Sequence, residues 1–422
     1  MKYCLLFSAF LVSSIINAQS QTKRALFLGN SYTSVNNLPQ TIADMAISTD
    51  DALVFDSNTP GGYTLHGHST NATSLAKIAM GNWDFVVLQE QSQYPSFPIE
   101  QVETEVFPYA QILDSLINAQ NPCAETVFYM TWGRKNGDAS NCASWPPVCT
   151  YAGMDSLLNL RYRMMAENND AILSPVGAVW KHIRQNLPEI ELYQADNSHP
   201  SVAGTYAAAC SFYTVLFRKD PTLITFNSTL SDTEAENIRT AAKLVVYDSL
   251  MNWHVGEYDP VADFTYQVSG DYEISFTNVS TNATNFYWEF GDGNTSTSEN
   301  PIHVYPGPGS YTTSLMSDKC GVSDTIFETI DLAPLGISKV ANSDIFSLYP
   351  NPATTTLTLT QNTSEKILYI ITNLKGQAIQ SGWFAQQEKQ ISTASFSDGI
   401  YFIQLFNGKK LLNQQKFIKS TF

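Results

Sequence analysis

The chain has 422 residues, of which 43% are hydrophobic and 12% aromatic. Such a composition is typical of folded domains rather than of disordered chains, and the length predicts two to four domains. The net charge is −16 and the sequence has no basic stripe. We therefore expect no nucleic-acid partner.

The N-terminus is typical of a signal peptide that spans residues 1–18. Lys2 supplies the positive charge, Leu5 to Ile16 supply an apolar stretch, and cleavage is expected before Gln19. This stretch is too short to cross a membrane, and no later stretch reaches the roughly 18 apolar residues that a crossing needs. We therefore expect an exported chain with no transmembrane segment in its mature form.

Five cysteines follow the predicted cleavage site, and export allows them to form disulfides. Cys142 and Cys149 flank an irregular loop and are the first predicted pair. A bond between Cys123 and Cys210 is the second candidate, and it would leave Cys320 as a free thiol. Because no C-x-x-C pair occurs, we do not expect these cysteines to bind a metal. We also expect no cofactor.

Residues 23–257 alternate between strand and helix patterns. Buried strands are predicted at Ala25–Leu28, Phe85–Leu88 and Val127–Thr131. This alternation predicts a parallel sheet with helices on both faces, a three-layer α/β/α domain. Helices are predicted at Leu38–Ile47, Glu103–Asn118, Met154–Glu167, Ala203–Phe217 and, from a capping box at Ser231–Glu234, through Met251.

Short alternating runs separated by Gly, Asn, Ser and Pro turns begin after Asp259-Pro260. Their turns recur about every 8–12 residues, a spacing typical of small all-β sandwich domains. A break near residues 333–336 divides this part of the chain. Two such domains are therefore predicted, at 259–333 and 345–422.

The candidate nucleophile is Ser31, in the turn between the first strand and the helix Leu38–Ile47. A residue in such a turn lies at the carboxyl edge of the sheet, where ligands of open α/β sheets bind. A nucleophilic serine needs a base, and Asp196 three residues before His199 would let one turn hold carboxylate and imidazole together. The alternatives are a serine that only caps a helix and a solvated Asp-Asn turn.

An acyl-transfer site also needs hydrogen-bond donors for an oxyanion. Gly61-Gly62 follows the run Ala52–Asp56 and would direct a backbone N–H toward the serine. Gln89-Glu90-Gln91-Ser92 follows the third strand, where a side-chain amide would lie beside the serine. Either segment by itself is also consistent with an ordinary turn.

The serine turn, the two glycines, the amide block and Asp-x-x-His occur in the order that resembles the SGNH (GDSL-type) hydrolase family, over about residues 23–255. This resemblance implies that Ser31 is the nucleophile and an oxyanion donor, that His199 is the general base and that Asp196 orients it. The sequence departs from the family pattern in having Gly-Asn-Ser in place of Gly-Asp-Ser.

The same resemblance implies two further oxyanion donors. Gly62 is the preferred backbone donor, with Gly61 as the alternative. Simple alignment puts Gln91 at the position of the family's oxyanion asparagine, with Gln89 as the alternative. Here the family's Gly-x-Asn-Asp is replaced by the glutamine block.

Three residues are candidate substrate contacts: Gln89, His66 and Trp132. His66 and His68 form an H-x-H pair, which on a strand can bind zinc, but no third ligand follows at a suitable spacing. We therefore prefer a loop that lines the pocket, with His66 touching the substrate. Trp132 follows the strand Val127–Thr131 and is equally consistent with a packing role.

The two C-terminal parts each resemble a known module. Tyr287 to Gly293, with Trp288 as the expected core residue, resembles the PKD domain, an immunoglobulin-like sandwich. The segments Leu348–Pro352 and Asp398–Tyr401 resemble the type IX secretion C-terminal sorting domain. That resemblance implies passage across the outer membrane, so that the protein is secreted or on the cell surface.

These features predict a secreted serine esterase that removes acetyl or other short acyl groups from carbohydrate. The expected partners are an acylated carbohydrate or small ester and the type IX secretion machinery. The alternative is a non-catalytic cell-surface adhesin that uses the α/β domain as a carbohydrate-binding scaffold.

Overall fold

The computed structural model describes residues 20–333, 346–362, 365–408 and 410–421. The predicted signal peptide at residues 1–18 lies outside these ranges. The chain divides into two compact units, and the second consists of 306–309 and 331–422. The first unit contains the α/β domain and most of the first all-β domain.

A five-stranded sheet forms the centre of the α/β domain. Its strands are β1 (Thr22–Leu28), β2 (Ala52–Asn58), β3 (Phe85–Leu88), β4 (Glu125–Tyr129) and β5 (Ile172–Ser174). They lie in the order β2-β1-β3-β4-β5, and every neighbouring pair is parallel. All four residues of β3 are buried, as is typical of a parallel strand whose two faces are both covered.

Helices cover both faces of this sheet. They are α1 (Ser31–Ser34), α2 (Leu38–Ile47), α3 (Leu65–Thr70), α4 (Ala72–Ile78), α5 (Ile99–Glu105), α6 (Phe107–Gln120), α7 (Tyr151–Glu167), α8 (Val176–Asn186), α9 (Val202–Phe217) and α10 (Asp232–Val245). Helix α9 contacts α2, α8 and α10, and α6 contacts α3, α4 and α5. Nearly every residue of α9 is buried, because this helix lies between other helices and the sheet. Short 3₁₀ helices occur at Val35–Asn37, Tyr94–Ser96, Pro146–Cys149, Pro221–Leu223 and Tyr247–Trp253.

The predicted fold class is confirmed, and two helix predictions are wrong in detail. The helix predicted at Glu103–Asn118 is two helices that meet at Val106. Pro108 lies in the first turn of the second helix, where its missing N–H costs no helical hydrogen bond. The helix predicted through Met251 ends at Val245 and is followed by a 3₁₀ segment.

The first all-β domain consists of two antiparallel sheets. Its strands are β6 (Phe264–Val268), β7 (Glu273–Asn278), β8 (Asn285–Glu289), β9 (Thr295–Ser296), β10 (Ile302–Val304), β11 (Gly309–Lys319) and β12 (Val322–Leu332), in the orders β10-β7-β6 and β12-β11-β8-β9. Trp288 is fully buried in ring contact with Phe264 and Phe276. It therefore fills the core of this domain, as the sequence predicts.

The structure contains the predicted disulfide Cys142–Cys149 and a second disulfide, Cys123–Cys320. The predicted bond between Cys123 and Cys210 is wrong, and so is the predicted free thiol at Cys320. Cys210 is free and buried inside α9, whereas Cys123 is exposed just before β4. The bond to Cys320, 197 residues away, connects the α/β domain to the first all-β domain.

The second unit has its own hydrophobic core between two antiparallel sheets. Its strands are β13 (Phe346–Tyr349), β14 (Thr356–Gln361), β15 (Ile367–Asn373), β16 (Ala378–Phe384), β17 (Glu388–Ser392), β18 (Gly399–Asn407) and β19 (Lys410–Lys419), in the orders β13-β14-β17 and β16-β15-β18-β19. Among the described residues, no helix has the length and hydrophobicity that a bilayer crossing requires.

Candidate active site

Ser31 begins helix α1 directly beyond the carboxyl end of β1. Strand β1 ends at Leu28, and the side chain of Asn30 caps the helix by accepting a hydrogen bond from the Tyr32 N–H at 3.1 Å. The N–H of Ser31 donates to no described residue, as is expected in the first turn of a helix. This N–H is therefore available to an anion at the edge of the sheet.

The structure brings Ser31, His199 and Asp196 together in one hydrogen-bonded series. His199 Nε2 lies 2.9 Å from Ser31 Oγ, and His199 Nδ1 lies 2.5 Å from Asp196 Oδ2. Because an ionised carboxylate only accepts hydrogen bonds, Nδ1 carries the ring proton and Nε2 accepts from the serine hydroxyl. This is the arrangement that a general base needs.

Asp196 is fixed by its own turn. Its Oδ1 accepts from the backbone N–H groups of Ser198 and His199, both at 3.0 Å. Burial acts to raise the pKa of Asp196, but the bonds from the His199 ring and these two N–H groups outweigh it and hold the pKa below its ordinary value. Asp196 is therefore ionised at neutral pH, although its side chain is 47% exposed.

Three hydrogen bonds position the loop that carries His199. The Tyr32 hydroxyl lies 2.7 Å from Ser198 Oγ, and the Trp132 indole N–H donates to the Ser198 carbonyl at 3.1 Å. The backbone N–H of Lys135 donates to the Asn197 carbonyl at 2.9 Å. The segment after β1 and the segment after β4 therefore both position the histidine loop.

Three stacked aromatic rings lie behind this loop. Trp132 stacks on Tyr32 at a centroid distance of 4.7 Å and on Trp180 at 3.7 Å. The ring of Tyr32 meets that of His199 edge to face at 5.5 Å. Trp132 is fully buried, so it is a packing residue here, and its predicted contact with substrate is not available in this structure.

Gln89 is also fully buried, behind the serine turn. Its Oε1 accepts from the Asn30 N–H at 3.0 Å and from the Thr33 hydroxyl at 2.9 Å. Its Nε2 donates to Asn30 Oδ1 at 2.8 Å and to the Glu90 carbonyl at 2.6 Å. This amide has no free donor for a substrate or an oxyanion, which corrects its expected role as a substrate contact or alternative oxyanion donor.

Gln91 differs from Gln89 in having donor capacity left. Its Nε2 donates to Gln93 Oε1 at 3.1 Å, and its Oε1 accepts from the Gln93 N–H at 2.7 Å. One of the two amide hydrogens of this partly buried side chain therefore remains available. Of the two glutamines, only Gln91 retains the capacity of an oxyanion donor.

The glycine turn is connected to the serine turn through the backbone. Gly61 and Gly62 are exposed, Gly62 has a φ of 67°, and the N–H of Gly62 donates to no described residue. The next residue, Tyr63, accepts at its carbonyl from Asn30 Nδ2 at 2.9 Å. The side chain of Asn30 therefore links the two segments that supply the candidate backbone donors.

His66 and His68 lie on helix α3, which corrects the expectation of a strand or a loop. His66 is exposed and stacks on Tyr109 at 4.1 Å. His68 is fully buried, with Nε2 donating to the Gly29 carbonyl at 2.9 Å and Nδ1 accepting from Ser74 Oγ at 2.8 Å. Burial lowers the pKa of His68 to about 4, so it is a neutral residue that supports the serine turn.

The described residues contain no group of three His, Cys, Asp or Glu side chains arranged to hold a metal ion. A cavity of about 880 Å³ lies at the amino edge of the sheet, near Phe85, Glu125 and Ile172, which are at or near the beginnings of their strands. None of the predicted site residues lines this cavity. The candidate site is therefore at the opposite, carboxyl edge.

Sequence reasoning missed several residues of the site, among them Tyr32, Ser198 and Glu90. Glu90 is fully buried, and its two oxygens accept from the Leu65 N–H at 3.1 Å and the Gln91 N–H at 2.5 Å. Burial raises its pKa to about 8. The sequence shows Glu90 only as an acidic residue close behind an apolar strand, and this pattern does not predict that its side chain is buried.

Two C-terminal segments of the chain match family models. Residues 259–332 match the PKD domain and residues 347–420 match the secretion system C-terminal sorting domain. None of the curated proteins matches the chain.

Several solved structures are similar to parts of the chain. A DUF4886 family protein from Bacteroides uniformis is 14% identical over 55% of this chain and 95% of its own, with a TM-score of 0.47. A protein from Slackia heliotrinireducens, described as a candidate SGNH hydrolase, is 28% identical over 46% of this chain and 97% of its own, with a TM-score of 0.38. The PKD1 domain of the Vibrio cholerae metalloprotease PrtV is 37% identical over 18% of this chain and 96% of its own, with a TM-score of 0.17. The chain therefore joins an α/β domain built on a five-stranded parallel sheet to a PKD domain and a secretion system C-terminal sorting domain, and the last of these indicates export to the cell surface or secretion.

Proposed function

We propose that this chain is a serine esterase that removes acetyl or other short acyl groups from carbohydrate outside the cell. The observation that supports it most is the continuous series from Ser31 Oγ through the His199 ring to Asp196. Ser31 and Gly62 supply backbone N–H groups, and Gln91 supplies a side-chain amide, to the oxyanion.

In the proposed reaction, Ser31 Oγ attacks the ester carbonyl carbon while His199 Nε2 takes the hydroxyl proton. The bond between the carbonyl carbon and the alcohol oxygen then breaks, and His199 returns the proton to the leaving alcohol. Water, activated by the same imidazole, attacks the acyl-enzyme and releases the carboxylic acid and free Ser31. Asp196 holds the imidazole in the required tautomer throughout.

A fluorophosphonate probe and a chromogenic acetate ester test the proposal. We expect the wild type to be labelled and to hydrolyse the ester, and Ser31→Ala to fold with the same melting temperature but to do neither. Acetate release from a panel of acetylated polysaccharides would then identify the substrate. A folded wild type that neither reacts with the probe nor releases acetate contradicts the proposal and favours a binding role for the α/β domain.

A further inference from the structure

Arg134 lies beyond the carboxyl end of β4 and is neither the nucleophile, the base nor an oxyanion donor of the proposed site. Two residues before it, Trp132 stacks on Tyr32, the residue that follows Ser31. One residue after it, the Lys135 N–H donates to the Asn197 carbonyl, two residues before His199. The backbone around Arg134 is thus bonded to the histidine side of the site.

The guanidinium group is only partly satisfied. Arg134 makes a single 3.2 Å bond from an NH1 group to Asp138 Oδ1. Its Nε is buried and has no partner among the described residues, and no bond from its second terminal nitrogen to a described residue occurs. A buried guanidinium N–H without an acceptor is costly, and the group that a guanidinium fits best is a carboxylate or phosphate.

Asp138 does not depend on Arg134 for its hydrogen bonds. It is fully buried and also accepts from Gln93 Nε2 and Asn141 Nδ2, both at 2.6 Å, and from the Ser140 N–H at 3.1 Å. These bonds keep the carboxylate ionised and in place. Asp138 therefore orients Arg134 through one NH1 group and leaves the other N–H groups of the guanidinium without an acceptor among the described residues.

The position of Arg134 also indicates which part of an ester it would meet. The histidine protonates the leaving alcohol, so the alcohol portion of the substrate must lie on the side of His199. Lys135, the residue after Arg134, donates its backbone N–H to the Asn197 carbonyl of the histidine loop at 2.9 Å. Arg134, whose side chain is 26% exposed, therefore belongs to a segment that contacts the histidine loop, on the side where the leaving alcohol lies.

We propose that Arg134 is a specificity-determining residue that binds a carboxylate on the alcohol portion of the ester, as in an O-acylated uronic acid. This inference rests on the proposed esterase function and names the class of substrate for the same site.

A matched pair of esters tests it: para-acetoxybenzoate, whose leaving group carries a carboxylate, and para-acetoxybenzamide, its neutral analogue. We expect the wild type to favour the benzoate in kcat/KM on the order of 10-fold, as for one charge-assisted bond, mainly through a lower KM. Arg134→Gln should lose this preference. The control is Lys135→Gln, which removes the adjacent cation. Because Lys135 is already paired with Glu191, this variant should keep the wild-type preference for the benzoate.

A parallel binding measurement separates this inference from the esterase proposal. Calorimetry on Ser31→Ala should show tighter binding of the benzoate than of the benzamide, and the double variant Ser31→Ala/Arg134→Gln should bind both equally. That result supports the inference even if the wild type hydrolyses neither ester. Equal binding of the two esters by Ser31→Ala, or an equal fall in kcat/KM for both esters in a folded Arg134→Gln, would overturn it.

Discussion

Gln89 and Gly29 lie so close together that a β-carbon on Gly29 would come within 2.7 Å of the Gln89 amide oxygen. The same β-carbon would come within 2.5 Å of Thr33 Oγ1, which donates to that oxygen. The glycine of the serine turn is thus needed because a buried glutamine fills the space beside it. Through the Asn30 N–H, this glutamine sets the backbone on which Ser31 lies.

Gly29→Ala should lower both stability and activity. Relieving the overlap requires Gln89 or Thr33 to move, and overpacking of this kind costs about 1–3 kcal/mol of unfolding free energy. A displaced serine should lower kcat on the order of 10-fold or more, because attack depends on alignment. Thermal melting and hydrolysis of an acetate ester measure the two effects.

The control for this variant is Gly61→Ala, because no atom lies within 4 Å of a β-carbon built at Gly61. Its melting temperature should equal that of the wild type. A Gly29→Ala protein with wild-type melting temperature and wild-type kcat would show that the close approach of Gln89 does not matter.

Gln91→Ala and Gln89→Ala should differ in kind. Gln91 is partly buried and proposed as an oxyanion donor, so its loss should lower kcat on the order of 10²–10³-fold with little change in melting temperature. Gln89 makes four buried hydrogen bonds, so its loss should also lower the melting temperature. Measuring kcat and melting temperature of both variants distinguishes a donor from a supporting residue.

The opposite pattern would assign the role of oxyanion donor to Gln89 instead of Gln91. If Gln91→Ala retained full kcat while Gln89→Ala lost activity without losing stability, the amide of Gln89 would have to be the oxyanion donor. A Gln91→Glu variant keeps the size of the side chain while replacing the amide by a carboxylate, and it should be as slow as Gln91→Ala.

The sequence predicts the parts of this molecule that depend on local pattern. Strand β3 and helix α2 have the predicted bounds, because apolar runs and helical spacing depend only on neighbouring residues. The approach of Asp196 to His199 also follows from one turn of three residues. The C-terminal modules were recognisable because their turn and core residues occur at fixed spacings.

What the sequence does not predict depends on contacts between distant segments. The sequence alone does not distinguish Gln89 from Gln91. Their burial does, because Gln89 is buried and Gln91 is only partly buried, with an amide that remains available. His66 and His68 differ in the same way. The partner of Cys123 lies 197 residues away in another domain, and no local spacing could reveal it.

Glu90→Gln should change the pH dependence of stability. The pKa of Glu90 is raised by burial from 4.5 to about 8, so between these values the native state holds a proton that the unfolded state has lost. Wild-type stability should therefore fall as pH rises through this window, by at most about 1.4 kcal/mol per pH unit, and level off above it. Relative to the wild type, Glu90→Gln should gain stability between pH 5 and pH 8.

Calorimetric melting temperatures of both proteins across this range provide the measurement. The control is Glu103→Gln, which removes an exposed carboxyl on helix α5 and should give a curve parallel to that of the wild type. A parallel curve for Glu90→Gln as well would mean that Glu90 is ionised in the folded protein at pH 6.

Cys320→Ser should loosen the connection between the α/β domain and the PKD domain. Removing a native disulfide that closes so long a loop costs about 2–5 kcal/mol. The connection keeps other contacts, since Arg218 forms an ion pair with Asp259 and Asn282 donates to the Asp259 carbonyl at 3.2 Å. We therefore expect a lower melting temperature and faster proteolysis near residue 259, rather than complete unfolding.

Esterase activity should survive in Cys320→Ser, because Cys123 precedes β4 at the amino edge of the sheet, opposite the serine. Cys123→Ser should reproduce these effects, since it breaks the same bond. Cys210→Ala is the control, because Cys210 is free, and it should not speed proteolysis at the connection. If Cys320→Ser melted and was digested like the wild type, the disulfide would contribute nothing measurable to holding the two domains together.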